Sequence, residues 1–171
     1  MNDDVSDEKE TNRTDKKKPT DSADESLFTI FDLGDEEYGV PVDLMVEIVR
    51  NVSTFNIPGS PRHVIGATDL RGEVIPIIDL KKIMEIGETE GEVDEVLLVN
   101  VEDEKLALTV DRLKDIVSST KDKLIEPSSI TNLDDKMLKW IIKLEDQRTI
   151  RVLNIKELVS EKIRNIELET K

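Results

Sequence analysis

Cysteine is absent from this 171-residue chain. That removes disulfides and thiolate metal sites from consideration and leaves the compartment unreadable from redox chemistry. Histidine occurs once, at His63, and tryptophan and tyrosine once each. With a single imidazole, no G-x-S-x-G elbow and no glycine-rich phosphate loop, catalysis has little to stand on, and neither a cofactor nor a metal is expected. Long apolar runs are missing too. No stretch nears the roughly 20 residues of a membrane span, and the start of the sequence has no apolar signal region. The expected location is therefore cytoplasmic. Basic residues are scarce relative to acidic ones, 24 against 39, for a net charge of −15. Such a surface repels phosphate backbones and anionic lipid, which argues against nucleic acid as a partner and against direct membrane insertion.

What is present divides unevenly. Residues 1–26 hold nine acidic and five basic side chains and almost no large apolar ones. They read as a disordered acidic tail that buries too little to offset the entropy of ordering. Ordered sequence is expected from Leu27. Leu27, Phe28, Ile30, Phe31 and Leu33 form an apolar run, Gly34-Asp35-Glu36-Glu37 a turn, and Tyr38, Val40 and Val42 alternate as in a strand. Asp43 reads as the N-cap of a helical turn over Leu44–Glu47, and Ile48-Val49 as another short apolar piece.

The stretch from Ile65 to Leu80 organises the rest. An apolar approach meets Leu70-Arg71-Gly72, and Val74-Ile75-Pro76-Ile77-Ile78 leaves it. Gly72 can take a positive φ without a Cβ penalty, so the chain reverses there and places Arg71 at the tip. Pro76 removes a backbone donor, which predicts an edge strand or a bulge. Asp79 reads as an N-cap for Leu80–Met84, and residues 87–95 as an acidic loop.

The second half then repeats the first. Laying Asp43 on Asp111 without a gap places Tyr38 on Leu106, Gly39 on Ala107, Met45 on Leu113, Glu47 on Asp115 and Ile48 on Ile116. Further on, Leu70 falls on Leu144 and Asp79 on Asn154. The repeats run roughly over 27–85 and 95–160. Many short strands, tight turns and few helices predict two small barrels that share a core and limit exposed edges. Ile155, Leu158, Val159, Ile163 and Ile166 make one stripe, so a C-terminal helix is expected over 155–166.

Several motifs together resemble the CheW-like coupling proteins of bacterial and archaeal chemotaxis. Ile57-Pro58-Gly59-Ser60-Pro61, Ile65-Gly66 and Asp69 through Leu80 are similar to that family's N-L-R-G and V-I-P-V-I-D-L signature. Leu108-Thr109-Val110-Asp111 is similar to its G-L-x-V-D. Gly34–Gly39, Val46–Val49, Leu144–Arg148 and Leu153–Ile155 resemble further family segments, so the likeness spans residues 27–160.

The resemblance implies a mainly β fold of two packed, intertwined SH3-like five-stranded barrels, with short helical turns and a C-terminal helix. It implies an adaptor without catalysis, bound by the cytoplasmic tip of chemoreceptors and by the regulatory domain of the histidine kinase CheA. A divergent adaptor of another chemosensory-type array, or an array component that does not couple, is the alternative. By position, Met45, Glu47, Ile48, Gly66, Asp69 and Arg71 match the signature or partner-contact positions. The groove between barrels would draw on Val42, Ile48 and Val110. Each has a plainer reading. Met45 and Ile48 read equally well as core, Glu47 as a solvated charge, and Arg71 as a brace for its own turn. Two departures stand out. Asp69 replaces the signature asparagine and brings no amide donor. Trp140 stands where the family has glycine, and joins the core if buried or anchors a partner if exposed.

Overall fold

The computed structural model describes residues 24–129, 136–158 and 160. The tail up to residue 23 and the expected C-terminal helix beyond Leu158, apart from residue 160, lie outside the described residues. The described elements run β1 (Glu25–Leu33), β2 (Glu36–Pro41), β3 (Met45–Arg50), β4 (Val64–Leu70), β5 (Glu73–Ile78) and α1 (Leu80–Ile83). They continue with β6 (Glu95–Val101), β7 (Glu104–Thr109), β8 (Arg112–Thr120), β9 (Leu124–Ile125), β10 (Leu138–Lys143), β11 (Thr149–Leu153) and α2 (Ile155–Leu158). The first strand begins at Glu25, two residues before Leu27, because Glu25 pairs with Thr120 on β8.

The strands form two sheets, in the orders β3-β6-β7-β5-β4 and β8-β1-β2-β11-β10-β9. The first is a middle barrel made by the continuous stretch 45–109. The second is a terminal barrel made by β1 and β2 together with β8 to β11. The chain passes between them twice, at a 3₁₀ turn over Val42–Leu44 and at Val110-Asp111. Each barrel thus combines the first hairpin of one repeat with the later strands of the other.

The registers carry the repeat into three dimensions. Ile48 pairs with Leu97 in one sheet, and their counterparts Ile116 and Thr29 pair in the other. The parallel contact of Ile77 with Ala107 matches that of Val152 with Gly39. An internal pseudo-dyad therefore relates the barrels. Its two small cores are Phe28, Ile30, Ile142, Ile150 and Val152 in the terminal barrel, and Ile75, Ile77, Val96, Leu98 and Ala107 in the middle one. The largest cluster lies between them and holds sixteen buried residues, among them Phe31, Tyr38, Val99, Leu108, Leu80 and Ile155. At about 1.5–3 kcal/mol per buried aliphatic or aromatic side chain, this shared core outweighs either private one.

Two caps arise where their sequence places them. Asp79 Oδ1 accepts the Lys81 N–H at 3.2 Å, and Asn154 Oδ1 accepts the Glu157 N–H at 3.2 Å. Asp79 is itself buried. Its second oxygen accepts the Thr89 N–H at 2.9 Å and so straps the acidic loop to the body. Asp43 does not cap a helix. It sits inside the 3₁₀ turn, whose N-terminal neighbour is Pro41, and the residues from Met45 continue as strand. Met45 already pairs with Val99 of the other barrel as the start of β3, so the crossing leaves only three residues and a full helical turn has no room to form. Pro76 lies on an inner strand, not an edge. It pairs with Ala67 of β4 and stands just before the contact with β7 begins at Ile77. Trp140 is half-buried and packs on the core of the terminal barrel.

Candidate functional site

Leu70 pairs with Glu73, leaving Arg71 and Gly72 as the two turn residues at φ 54° and 84°. This is the doubly left-handed hairpin turn whose twist matches that of its strands. Glycine takes it freely, whereas arginine there carries about 1–2 kcal/mol of strain. Two contacts hold the turn. Asp69 Oδ1 accepts the Gly72 N–H at 2.9 Å, a role an acceptor-only carboxylate fills without the missing amide donor. The Arg71 guanidinium pairs with Glu47: Nη2 donates to Oε2 at 3.0 Å, and Nη1 lies 2.9 Å from Oε1 as an ion contact without hydrogen-bond geometry. Hydrogen bonding from Arg71 lowers the Glu47 pKa, and the carboxylate raises that of Arg71 in return.

The pair stands at one corner of the middle barrel, open to solvent. Lys105 Nζ meets Glu73 Oε1 at 3.0 Å, and its charge also lowers the Glu47 pKa. Two valines that neighbour these carboxylates in sequence are exposed. Val46 has no register partner, because pairing of β3 with β6 steps from Met45–Val99 to Glu47–Leu98; the bulge turns it outward, 45% exposed. Val74 is 60% exposed; it pairs with Asp69, and strand alternation puts its side chain on the opposite face of β5 from that of Glu73. Neither valine was singled out from the sequence. The only sign was an apolar residue next to each carboxylate, which does not distinguish a buried face from an exposed one.

The other expected residues scatter around this corner. Met45 is half-buried and accepts a hydrogen bond from Thr29 Oγ1 on its Sδ at 3.3 Å. Ile48 packs on the shared core, as does Val110, while Val42 and Val110 occupy the two crossings between barrels. Gly66 is buried away from the turn. A Cβ on it would lie 2.4 Å from the Phe55 carbonyl oxygen and 3.0 Å from Thr54 Cγ2. Glycine there lets residues 54–55 lie against β4, where Phe55 and Ala67 exchange backbone hydrogen bonds of 2.9 Å. The geometry brings Glu47, Asp69 and Arg71 together and gives Gly66 a structural task. His63, whose residue is half-buried, supplies its carbonyl to the Asp79 N–H at 2.7 Å.

The equivalent corner of the terminal barrel is also braced by an arginine. Arg148 Nη2 lies 2.6 Å from Glu37 Oε1 and 3.2 Å from Asp115 Oδ1, and Lys114 Nζ reaches Glu37 at 3.2 Å. Hydrogen bonds from Arg148 are the largest influence on Glu37 and lower its pKa; donating to Glu37 first and then to Asp115 raises that of Arg148. Among the described residues no group of three His, Asp or Glu side chains is placed to hold a metal ion. No helix among them is long and apolar enough to cross a membrane.

Comparison with known proteins agrees with this architecture. A family model for the CheW-like domain matches residues 27–162. The chain is 35% identical to the chemotaxis protein CheW of Treponema pallidum over 138 residues, which cover 77% of this chain and 81% of that protein. It is 29% identical to CheW of Helicobacter pylori over 143 residues, 83% of this chain and 86% of its relative. The crystal structure of the scaffolding protein TtCheW from Thermoanaerobacter tengcongensis superposes with a TM-score of 0.72 at 28% identity, covering 80% of this chain and 94% of that one.

Proposed function

The chain belongs to the CheW-like domain family, and from that premise we propose that it joins the cytoplasmic tip of a chemoreceptor to the regulatory domain of the histidine kinase CheA. It is a chemotaxis coupling adaptor. Its place of action is the cytoplasm, at the receptor array, and its mechanism is stoichiometric, with no chemistry of its own. Two faces of one rigid body are held by two partners, so a shift in one partner biases the other. The middle-barrel corner is one such face. The observation that carries the reading is exposed apolar surface at Val46 and Val74 on the two strands that also present the Glu47–Arg71 and Glu73–Lys105 ion pairs. Apolar anchors supply affinity when covered, and a charged rim fixes orientation. The groove beside the crossings at Val42 and Val110, near Met45 and Ile48, is the second face, fitted to an amphipathic helix.

The test is calorimetry of the full chain against a receptor-tip fragment and against the CheA regulatory domain. Both are expected to bind, and Val74→Glu is expected to weaken one of the two contacts at least tenfold while leaving thermal stability unchanged. Absence of either contact in the unsubstituted chain sinks the proposal. The departures at Asp69 and Trp140 give the alternative array no support, since Asp69 still accepts the turn hydrogen bond and Trp140 packs inward.

A further inference from the structure

Among the described residues, five arginines, at 50, 71, 112, 148 and 151, each sit in an ion pair. Arg62 does not, although the chain carries 39 acidic side chains. Its exposed guanidinium stands at a cleft of about 410 Å³ lined by Arg62, His63, Lys82, Ile83, Glu85 and Gly87. The volume falls in the range of small-molecule sites.

The walls are fixed. The Val64 N–H donates to the Pro61 carbonyl at 3.0 Å, and the Asp79 N–H to that of His63 at 2.7 Å. The Lys82 ammonium donates to the Arg62 carbonyl at 3.1 Å, which ties α1 to the loop that carries Arg62. Its nearest carboxylate is that of Glu88, a loose pair at 3.5 Å with Glu88 well exposed. Ile83, which belongs to the shared core, lends the cleft an apolar wall.

A guanidinium fork beside an ammonium matches a tetrahedral oxyanion. Glu85 on the rim narrows the choice, because its charge opposes a weakly held monoanion. A second negative charge on the occupant raises its attraction to the two cations by more than its repulsion from the single Glu85, so a dianion is pulled in more strongly, and an organic body fills the remaining length of the cleft over the small exposed edge of Ile83. We propose that this cleft binds a phosphate monoester on a small planar or apolar body, held by Arg62 and Lys82. The site is separate from the partner-binding corner and does not depend on it.

Phenyl phosphate, inorganic phosphate and benzoate are the probes, titrated into isotope-labelled full-length protein and followed by NMR. The expected result is saturable shifts at Arg62, His63 and Lys82 with phenyl phosphate, about tenfold tighter than with either of the other two. Arg62→Ala, an exposed change with no side-chain partner to lose, is expected to weaken binding about tenfold. Lys82→Gln is expected to weaken it in parallel. Shifts that fail to saturate, or that persist unchanged in Arg62→Ala, overturn the site. Benzoate or inorganic phosphate binding as tightly as phenyl phosphate overturns the assignment of a monoester.

Discussion

At matching corners of the two barrels an arginine grips a carboxylate, under opposite circumstances. Arg71 sits in a two-residue turn with its side chain 72% exposed, whereas Arg148 ends a longer connection and is 25% exposed. The neighbours differ in kind. Where the middle barrel has Val46, Val74 and Lys105, the terminal barrel has Lys114, Thr149 and Glu37 at the repeated positions. One corner is sealed by charge, and the other leaves apolar surface open. Topology gives the reason. The terminal barrel gathers β2 from one end of the chain and β8 and β11 from the other, and Arg148 binds carboxylates on β2 and β8. The middle barrel is continuous in sequence, so its corner is free to serve a partner.

The largest expected effect tests whether the barrels can be separated at all. Leu108 is fully buried in the shared core. Leu108→Ala is expected to cost about 2–5 kcal/mol and to lower both barrels in a single urea transition. Two transitions, with the terminal barrel unaffected, would mean that the barrels are independent and that the corners answer to different cores.

Next comes the contrast between the arginines themselves. Arg148→Ala leaves the partly buried Glu37 with Lys114 as its remaining ion partner and removes the guanidinium's hydrogen bonds to two strands, and is expected to cost about 1–3 kcal/mol. Arg71→Ala is expected to leave the urea midpoint nearly unchanged, since an exposed pair gives little net stability, and to show instead in partner affinity. Equal losses of stability at both sites would erase the distinction between brace and docking face.

Acid sharpens the same contrast. The Glu37 pKa is lowered in the fold, chiefly by hydrogen bonding from Arg148. Between that lowered value and the ordinary carboxylate value of 4.5, the unfolded chain binds more protons. The contribution is thus fully present above the ordinary value and is lost as pH falls through the folded one. Denaturation midpoints measured from pH 6 down to pH 3 should fall less steeply in Glu37→Gln than in the unsubstituted chain. Glu47 is shifted the same way, but its pair is open to solvent. Glu47→Gln is expected to change the slope less, and the difference between the two variants should shrink in about 1 M salt if screening reaches both sites.

Much of this was legible from local chemistry. The reversal at Gly72, the cap at Asp79 and its repeat at Asn154 depend on residues within a few positions, and short-range rules reach that far. The two-barrel fold came from the family resemblance and the repeat together, and the likeness to TtCheW agrees with it. What sequence did not reveal is long-range. Nothing near Glu37 points to Arg148, 111 residues away, and nothing near Val46 announces a bulge set by β6. Asp43 misled because capping chemistry is local, while the crossing that forbids a helix is imposed by the other barrel. Gly66 read as a contact residue; the facing carbonyl that requires it comes from a loop without strand periodicity.

The smallest expected effect concerns Asp69, where the chain departs from the asparagine of its family's signature. Its Oδ1 accepts the Gly72 N–H, and an amide oxygen can accept the same bond from the same position. Asp69→Asn is therefore expected to change stability by no more than about 0.5 kcal/mol. The two side chains differ in charge and in the amide NH2 with its two N–H donors, none of which the turn uses. Calorimetry with the receptor-tip fragment and with the kinase domain then isolates what the carboxylate does outward. Unchanged affinity for both makes Asp69 a turn residue alone. A loss in either complex at constant stability adds its charge to the docking corner, beside Arg71 and the two valines, and makes the contrast with the sealed corner of the terminal barrel sharper still.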